Sequence, residues 1–263
     1  MTLSPEELER YARHILLRDV GGNGQQKLKA ARVLIIGAGG LGAPLAMYLA
    51  AAGVGTIGIV DDDIVDLSNL QRQIIHTSGR VGEAKTASAT AMLKDINPHV
   101  KVISHQTRIT ADNAVDIISD YDIVGDGCDN FETRFVVSDA CFFAKKTLVS
   151  AAVGQFDGQL STFKPHLIAS DGNPYPSYRT LHPQVPPPGS LPTCAEAGII
   201  GALTGIIGSM QAMEVIKEIL QIGDSLAGKI LMYDALAVSS FTATIKWQKD
   251  DPLNGLKPTI TKP

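Results

Sequence analysis

Cysteine is scarce in this sequence and does not come in pairs. The three cysteines among 263 residues, Cys128, Cys141 and Cys194, are odd in number and far apart, which argues against a disulfide framework and makes the cytoplasm the expected compartment. Aromatic side chains are only 5% of the chain and the net charge is −4, a balance that speaks against a base-stacking platform and against nucleic acid as a partner. Long apolar runs are missing too. The longest uncharged stretch lies between Glu196 and Glu214 and is interrupted by Thr204, Ser209 and Gln211. It falls short of a membrane span, so it predicts a buried helix and no membrane partner. Gly201 and Gly205, four apart within it, would let a second helix approach closely, in the same subunit or across a dimer. The first thirteen residues mix charged and polar side chains where a secretory leader would be apolar. The six histidines (His14, His76, His99, His105, His166, His182) show no metal-ligand spacing.

What is present is an alternation of apolar strands and helices. Ser4-Pro5-Glu6-Glu7 carries an N-cap, a first-turn proline and a capping-box acid. Leu8, Tyr11, Ala12, Ile15 and Leu16 follow at helical spacing, predicting a helix over 4–18 that Gly21-Gly22-Asn23-Gly24 ends. Arg32–Ile36 reads as a strand, 41–52 as a helix and Thr56–Val60 as a second strand, one βαβ unit. Helices at Lys85–Ile96, 111–119 and 132–144 then alternate with strands at 100–104, 121–126 and 148–152, which calls for a mostly parallel sheet. Beyond 152 come a strand at 158–163, a Pro-rich loop read as mobile, the uncharged helix, and strands at 229–233 and 241–246 in hairpin succession. The expectation is a single α/β domain over 1–263, Rossmann-like, its mostly parallel sheet flanked by helices and ending in antiparallel C-terminal strands. The nucleotide-binding core is placed at 30–152, a crossover loop at 165–192 and the C-terminal helix and strands at 195–247.

Gly37-Ala38-Gly39-Gly40-Leu41-Gly42 puts glycines in the Gly-x-Gly-x-x-Gly register, straight after a strand and opening a helix. Glycine there permits a tight turn and lets backbone amides approach phosphates at a helix N-terminus. Asp61 ends the next strand, where an acid holds a ribose hydroxyl. These features predict a bound nucleotide. NAD is the default reading of the fingerprint, yet no constellation for hydride transfer follows it. Instead Asn69, Arg72 and Gln73 come just after Asp61-Asp62-Asp63, Lys85 opens a helix, and Asp126 and Asp129 bracket the end of a later strand. Cations at two positions with a carboxylate able to hold Mg2+ suit nucleotidyl transfer, where positioning and charge neutralisation supply most of the catalysis. Singly, each has a bland alternative: Arg72 and Lys85 as solvated charges, Asp129-Asn130 as a helix cap.

Longer words decide among these. Glu9-Arg10-Tyr11-Ala12-Arg13-His14-Ile15-Leu16-Leu17, the glycine turn, Ser68-Asn69-Leu70-Gln71-Arg72-Gln73, Val81-Gly82-Glu83-Ala84-Lys85, Asp126-Gly127-Cys128-Asp129-Asn130 and Pro192-Thr193-Cys194-Ala195-Glu196-Ala197-Gly198 resemble the MoeB/ThiF/HesA family, relatives of the ubiquitin-activating enzymes. The resemblance runs in register from about Glu6 to about Lys249. It implies an adenylyltransferase in which a partner's C-terminal glycine carboxylate attacks the α-phosphate of ATP, with Mg2+, giving an acyl-adenylate and pyrophosphate. The implied partner is a ubiquitin-like sulfur carrier (MoaD- or ThiS-like) ending in Gly-Gly, serving molybdopterin or thiamin biosynthesis. By matching position, Gly37, Gly39, Gly40 and Gly42 would cradle the nucleotide, Asp61 would bind the ribose, Asn69, Arg72 and Lys85 would hold phosphates, and Asp63 and Gln73 would belong to the same nucleotide site. Asp129, beside Asn130, would bind Mg2+ or orient the nucleotide. Arg13 would reach the phosphates from the other subunit of a homodimer. Cys194 sits at the family's loop cysteine, either as a covalent link to the carrier or as a small residue near a helix start. No general base is implied, because a carboxylate is already ionised at neutral pH.

One departure stands out. Many members hold a structural zinc with two Cys-x-x-Cys pairs, whereas here those regions read Ser177-Tyr178-Arg179-Thr180 and Asp251-Pro252-Leu253-Asn254-Gly255-Leu256-Lys257. Hydroxyls, an amide and an ammonium do not replace four thiolates. Zinc is therefore not expected, and 165–192 and 250–263 are expected to be looser. Other readings are a relative that modifies a peptide, a nucleotide-binding scaffold without turnover, and an NAD(P)-dependent oxidoreductase. Retention of Arg13, Arg72, Lys85 and Asp129 speaks against the scaffold, and the oxidoreductase leaves 69–73 and Lys85 unexplained.

Overall fold

The computed structural model describes residues 2–187 and 198–263. Its centre is an eight-stranded sheet in the order β3-β2-β1-β4-β5-β6-β7-β8. Strands β1 (Arg32–Ile36), β2 (Thr56–Val60), β3 (Lys101–His105), β4 (Ile123–Asp126) and β5 (Thr147–Val153) run parallel. β6 (Asp157–Phe163), β7 (Lys229–Asp234) and β8 (Ser239–Thr244) extend the sheet antiparallel. The inner strands are apolar and buried on both faces because helices cover both. β1 makes the point: Val33 and Ile35 enter one core with α4 (Gly42–Ala51), α5 (Lys85–Ile96) and α9 (Gly201–Leu220). Leu34 and Ile36 enter the other, with α6 (Ala114–Ser119) and α7 (Phe131–Phe143). Chain order reverses between β1 and β4, and such a switch point opens a crevice at the strands' C-terminal ends.

The N-terminal segment departs from expectation. The Ser4 capping box is present, but the helix is two short pieces, α1 (Pro5–Arg10) and α2 (Ala12–Ile15), separated by Tyr11. Tertiary contact breaks it. The Tyr11 hydroxyl accepts a bond from Asn97 Nδ2 at 2.8 Å, and a Cβ at Gly53 would lie 2.5 Å from the tyrosine ring. Gly21-Gly22-Asn23-Gly24 opens a helix, α3 (Gly21–Ala30), where an end was expected. Gly24 fits there because a side chain would meet Val20 and Leu220 at 3.0 and 3.3 Å. On α9 the close helix approach within this chain falls elsewhere than on the Gly201 and Gly205 pair. Gly205 faces open space, whereas a Cβ on Gly208 would lie 2.5 Å from Pro44 and 2.6 Å from Leu41 O, so Gly208 lets α9 seat on α4. Gly201 instead admits the Gln71 carbonyl, 2.1 Å from where a Cβ would stand.

Of the segments expected to be looser, 165–192 and 250–263, residues 188–192 lie outside the described ones, while parts of 165–187 and 250–256 are joined in a hydrogen-bonded clasp. Asp251 is buried, and its Oδ2 accepts from Ser177 Oγ at 2.7 Å and Thr180 Oγ1 at 2.5 Å. Its Oδ1 accepts from the Leu253 and Asn254 amides, and Asn254 Nδ2 donates to the Pro165 and Tyr175 carbonyls. The short helix α8 (Tyr178–Leu181) held in this way pairs Arg179 with Asp139 of α7 at 2.6 Å and packs Tyr178 against Phe135.

Candidate nucleotide site

The crevice at the strand ends is a cavity of about 410 Å3, within the roughly 300–1,000 Å3 of small-molecule sites. Its floor is the glycine turn. Gly37 sits at φ +88, in the left-handed region, and a Cβ on Gly42 would lie 1.8 Å from Gly37 O, so the turn closes only with glycine at both positions. Gly39 faces the cavity with Gln73 Nε2 3.8 Å from its missing Cβ, and Gly40 packs beneath Thr204. α4 begins at Gly42, which puts the positive end of a helix at the cavity.

Asp61, at the end of β2, locks onto this turn. Its Oδ2 accepts the Ala38 amide at 2.8 Å and its Oδ1 the Asp63 amide at 2.9 Å. Burial pushes its pKa above the usual carboxylate value, against the pull of nearby Lys85. Lys85, nearly buried at the start of α5, donates to Asp63 Oδ2 at 2.8 Å. His76 ties the turn to the same helix: its ring bonds Ala38 O at 3.0 Å and Ser88 Oγ at 2.9 Å. A carbonyl only accepts, so the proton sits on Nε2 and Nδ1 accepts from the serine. Burial lowers the His76 pKa and keeps the ring neutral.

A short 3-10 turn, Leu67–Asn69, delivers Arg72 and Gln73 to the cavity. Asn69 Oδ1 accepts the Asp66 amide at 3.2 Å within that turn, and Asn69 is not among the cavity's lining residues. Gln73 is buried with Oε1 unpartnered among the described residues. Across the crevice, Gly127, Cys128, Asp129 and Asn130 form a second turn after β4. Asp129 is exposed, and Asn130 caps α7 by accepting the Thr133 amide at 2.9 Å.

The cavity thus gathers Gly37, Gly39, Gly40, Asp61, Asp63, Arg72, Gln73, Lys85, Asp129 and Asn130, with Gly42 packed beneath. Arg13 stands exposed on α2 and is not among its lining residues. Cys194 lies outside the described residues. Asp126, read as a flank of the site, is instead fully buried beneath it, its carboxylate taken by the Cys128 amide at 3.0 Å and by Ser150 Oγ at 2.8 Å. Cys128 and Cys141 are buried, as expected, and desolvation pushes both thiols well up. Among the lining groups not anticipated are Arg108, Thr204 and Arg134. Arg108 follows β3 and was open to the same strand-end rule that singled out Asp61; Arg134 was signalled only by being a cation in an apolar helix.

The donor set fits a nucleoside triphosphate and its metal. An amide-rich glycine cradle, the cations Arg72, Lys85, Arg108 and Arg134 and exposed carboxylates line it together, and Asp61, Asp62 and Asp63 bring carboxylate oxygens within 4.8 Å of one another at one end.

Comparison with known proteins agrees with this chemistry. The ThiF family model matches residues 11–254. The chain is 49% identical over 250 residues to the probable adenylyltransferase/sulfurtransferase MoeZ of Mycobacterium tuberculosis, covering 95% of this chain and 63% of that protein's length. It is 46% identical to the sulfur carrier protein adenylyltransferase of Thermus thermophilus, covering 98% and 95%. It is 42% identical to the SAMP-activating enzyme E1 of Haloferax volcanii, covering 97% and 92%. Among solved structures, E. coli MccB with ATP superposes with a TM-score of 0.79 at 21% identity, covering 94% of this chain and 73% of that one, a likeness of fold.

Proposed function

The chain belongs to the ThiF family, and from that premise we propose that it uses ATP and Mg2+ to adenylate the C-terminal glycine carboxylate of a ubiquitin-like sulfur-carrier protein. The observation that carries this reading is the convergence of the glycine turn, Asp61, Arg72, Lys85 and Asp129 on one cavity. A carboxylate oxygen of the carrier forms a bond to the α-phosphorus. The bond from that phosphorus to the bridging oxygen breaks, and its electron pair leaves with pyrophosphate. Both reactants are anions and the nucleophile is already ionised, so the barrier is one of repulsion and alignment. Arg72 and Lys85 supply the positive charge and Asp61 holds the ribose, while Asp129 would hold Mg2+, which would neutralise charge on the phosphates.

The working unit is a homodimer in which Arg13 completes the partner's cavity. In support, Arg13 lies outside its own cavity, and Leu16, Leu17, Leu67 and Met213 expose 74%, 55%, 71% and 51% of their surface, an apolar display that favours burial against another chain. Zinc has no part, since the four side chains at the clasp are hydroxyls, a carboxylate and an amide already bonded to protein groups. The pathway is molybdopterin or thiamin synthesis in the cytoplasm, set by which carrier the enzyme accepts.

ATP–pyrophosphate exchange with Mg2+, with and without carriers ending in Gly-Gly, tests the reading. Carrier-dependent exchange that Asp129→Ala lowers by about a hundredfold or more is expected. Tight ATP binding without exchange on any carrier would sink the reaction and leave a nucleotide-binding scaffold.

A further inference from the structure

Beneath the second turn lies a charge pair that the proposed chemistry leaves unused. Asp126 is fully buried at the end of β4, and Arg134, one turn into α7, is 8% exposed. Arg134 Nη2 donates to the Cys128 carbonyl at 2.7 Å, and its Nε stands 3.6 Å from Asp126 Oδ2. The same carboxylate accepts the Cys128 amide and the Ser150 hydroxyl. Both backbone groups of Cys128 are thereby held from below, one by each member of the pair. Burial alone would drive the guanidinium toward losing its proton, but Asp126 beside it more than offsets that and the group stays charged. From above, the turn meets the glycine cradle: a Cβ on Gly127 would lie 3.0 Å from the Gly42 amide nitrogen, and one on Gly37 would lie 3.3 Å from Gly127 O.

We propose that Arg134 is a positioning residue for adenylyl transfer, pinning the Cys128 carbonyl so that the Gly127–Asn130 turn presents Asp129 at a fixed place over the glycine cradle. This rests on the reading of Asp129 as a group of the reaction. A buried arginine–carboxylate pair is a poor stabiliser, because desolvation offsets most of what the attraction between its members supplies. Its place here is better explained by the geometry it imposes. Charge pairs and forked hydrogen bonds define position more sharply than apolar packing does, and an error of about 1 Å in a reacting group costs roughly a hundredfold in rate.

Arg134→Lys tests this, because lysine keeps a charge beside Asp126 but cannot both face that carboxylate and reach the Cys128 carbonyl. Arg134→Ala is the harsher companion and Asp129→Ala the control. Two readouts are needed: alkylation of Cys128 mapped by mass spectrometry, and ATP–pyrophosphate exchange resolved into kcat and KM for ATP. In the wild type Cys128 is shielded, its thiol buried within the turn. With lysine, Cys128 is expected to alkylate at least tenfold faster while the melting temperature stays within a few degrees. The exchange kcat should fall at least tenfold and KM for ATP should move less than threefold. Unchanged alkylation overturns the pinning whatever the exchange assay gives, and so does kcat within twofold of the wild type. Faster alkylation in a protein whose wild type exchanges with no carrier would sustain the pinning and sink the proposed reaction, so the two failures are separable.

Discussion

At the scale of single residues, half-buried Asp61 and buried Asp251 have opposite consequences. Asp61 gives up solvent for two backbone amides at the edge of an open cavity, and desolvation raises its pKa. A raised carboxylate pKa means the folded chain binds that proton more readily than the unfolded one. Its contribution to stability is therefore lost as pH climbs from the ordinary carboxylate value through the folded value, and at pH 7.5 the ionised Asp61 is a net cost. Asp61→Asn is accordingly expected to melt at or above the wild-type temperature at pH 7.5. It should also lose the upward shift that ATP gives the wild type, about 2.7 kcal/mol at a hundred times Kd; differential scanning fluorimetry with and without ATP checks both parts. Asp251 has four protein donors and no cavity to serve. Asp251→Ala would strand two hydroxyls and two amides, costing on the order of 3 kcal/mol in urea denaturation. Addition of a chelator should leave the wild-type midpoint unmoved; a chelator-induced drop would mean that a metal sits at the clasp after all.

At the scale of elements, α9 separates what a glycine permits from where it happens to be. Gly208 lies 2.6 Å from the Leu41 carbonyl once a Cβ is added, whereas Gly205 meets nothing. Gly205→Ala should therefore stabilise the helix by about 0.5–1 kcal/mol, and Gly208→Ala should destabilise by about 2 kcal/mol or more by prising α9 off α4. Equal effects in chemical denaturation would refute the packing argument. The sequence spoke clearly wherever local rules act alone. α5 begins and ends at Lys85 and Ile96 as read, since Asn97-Pro98 cannot continue a helix, and the glycine turn with Asp61 announced the cavity. It misled where tertiary contact overrules local preference: at Tyr11, which leaves its helix to sit on Gly53, and at Gly21–Gly24, where breakers open a helix against Leu220. The clasp and Arg134 were silent for another reason. Ser177 and Asp251 are 74 residues apart, and Arg134 takes its meaning from β4 and β5 and from no spacing within its own helix.

For the molecule as a whole, acid is the sensitive direction. His76, His105, His166 and His182 all have pKa values lowered by burial. As pH falls through about 6.5, the unfolded chain takes up protons that these four refuse in the fold, and stability drops. Asp61 and Asp139, both raised, act the other way and return part of that loss only when pH reaches the upper carboxylate range. The melting temperature should decline from pH 7.5 to 5.5 and flatten below; a constant value across that interval would contradict the histidine assignment. The contact of Gly37 and Gly42 with Gly127 has a further bearing, on transplantation. A phosphate-binding loop is usually regarded as a portable cassette of strand, turn and helix. Here the first glycine loop is shaped around the backbone of the second, contributed by a strand ninety residues later in the chain. A graft of residues 32–51 into another α/β scaffold would carry the fingerprint without the surface it is moulded on, and only a host offering a glycine turn on the neighbouring strand could accept it.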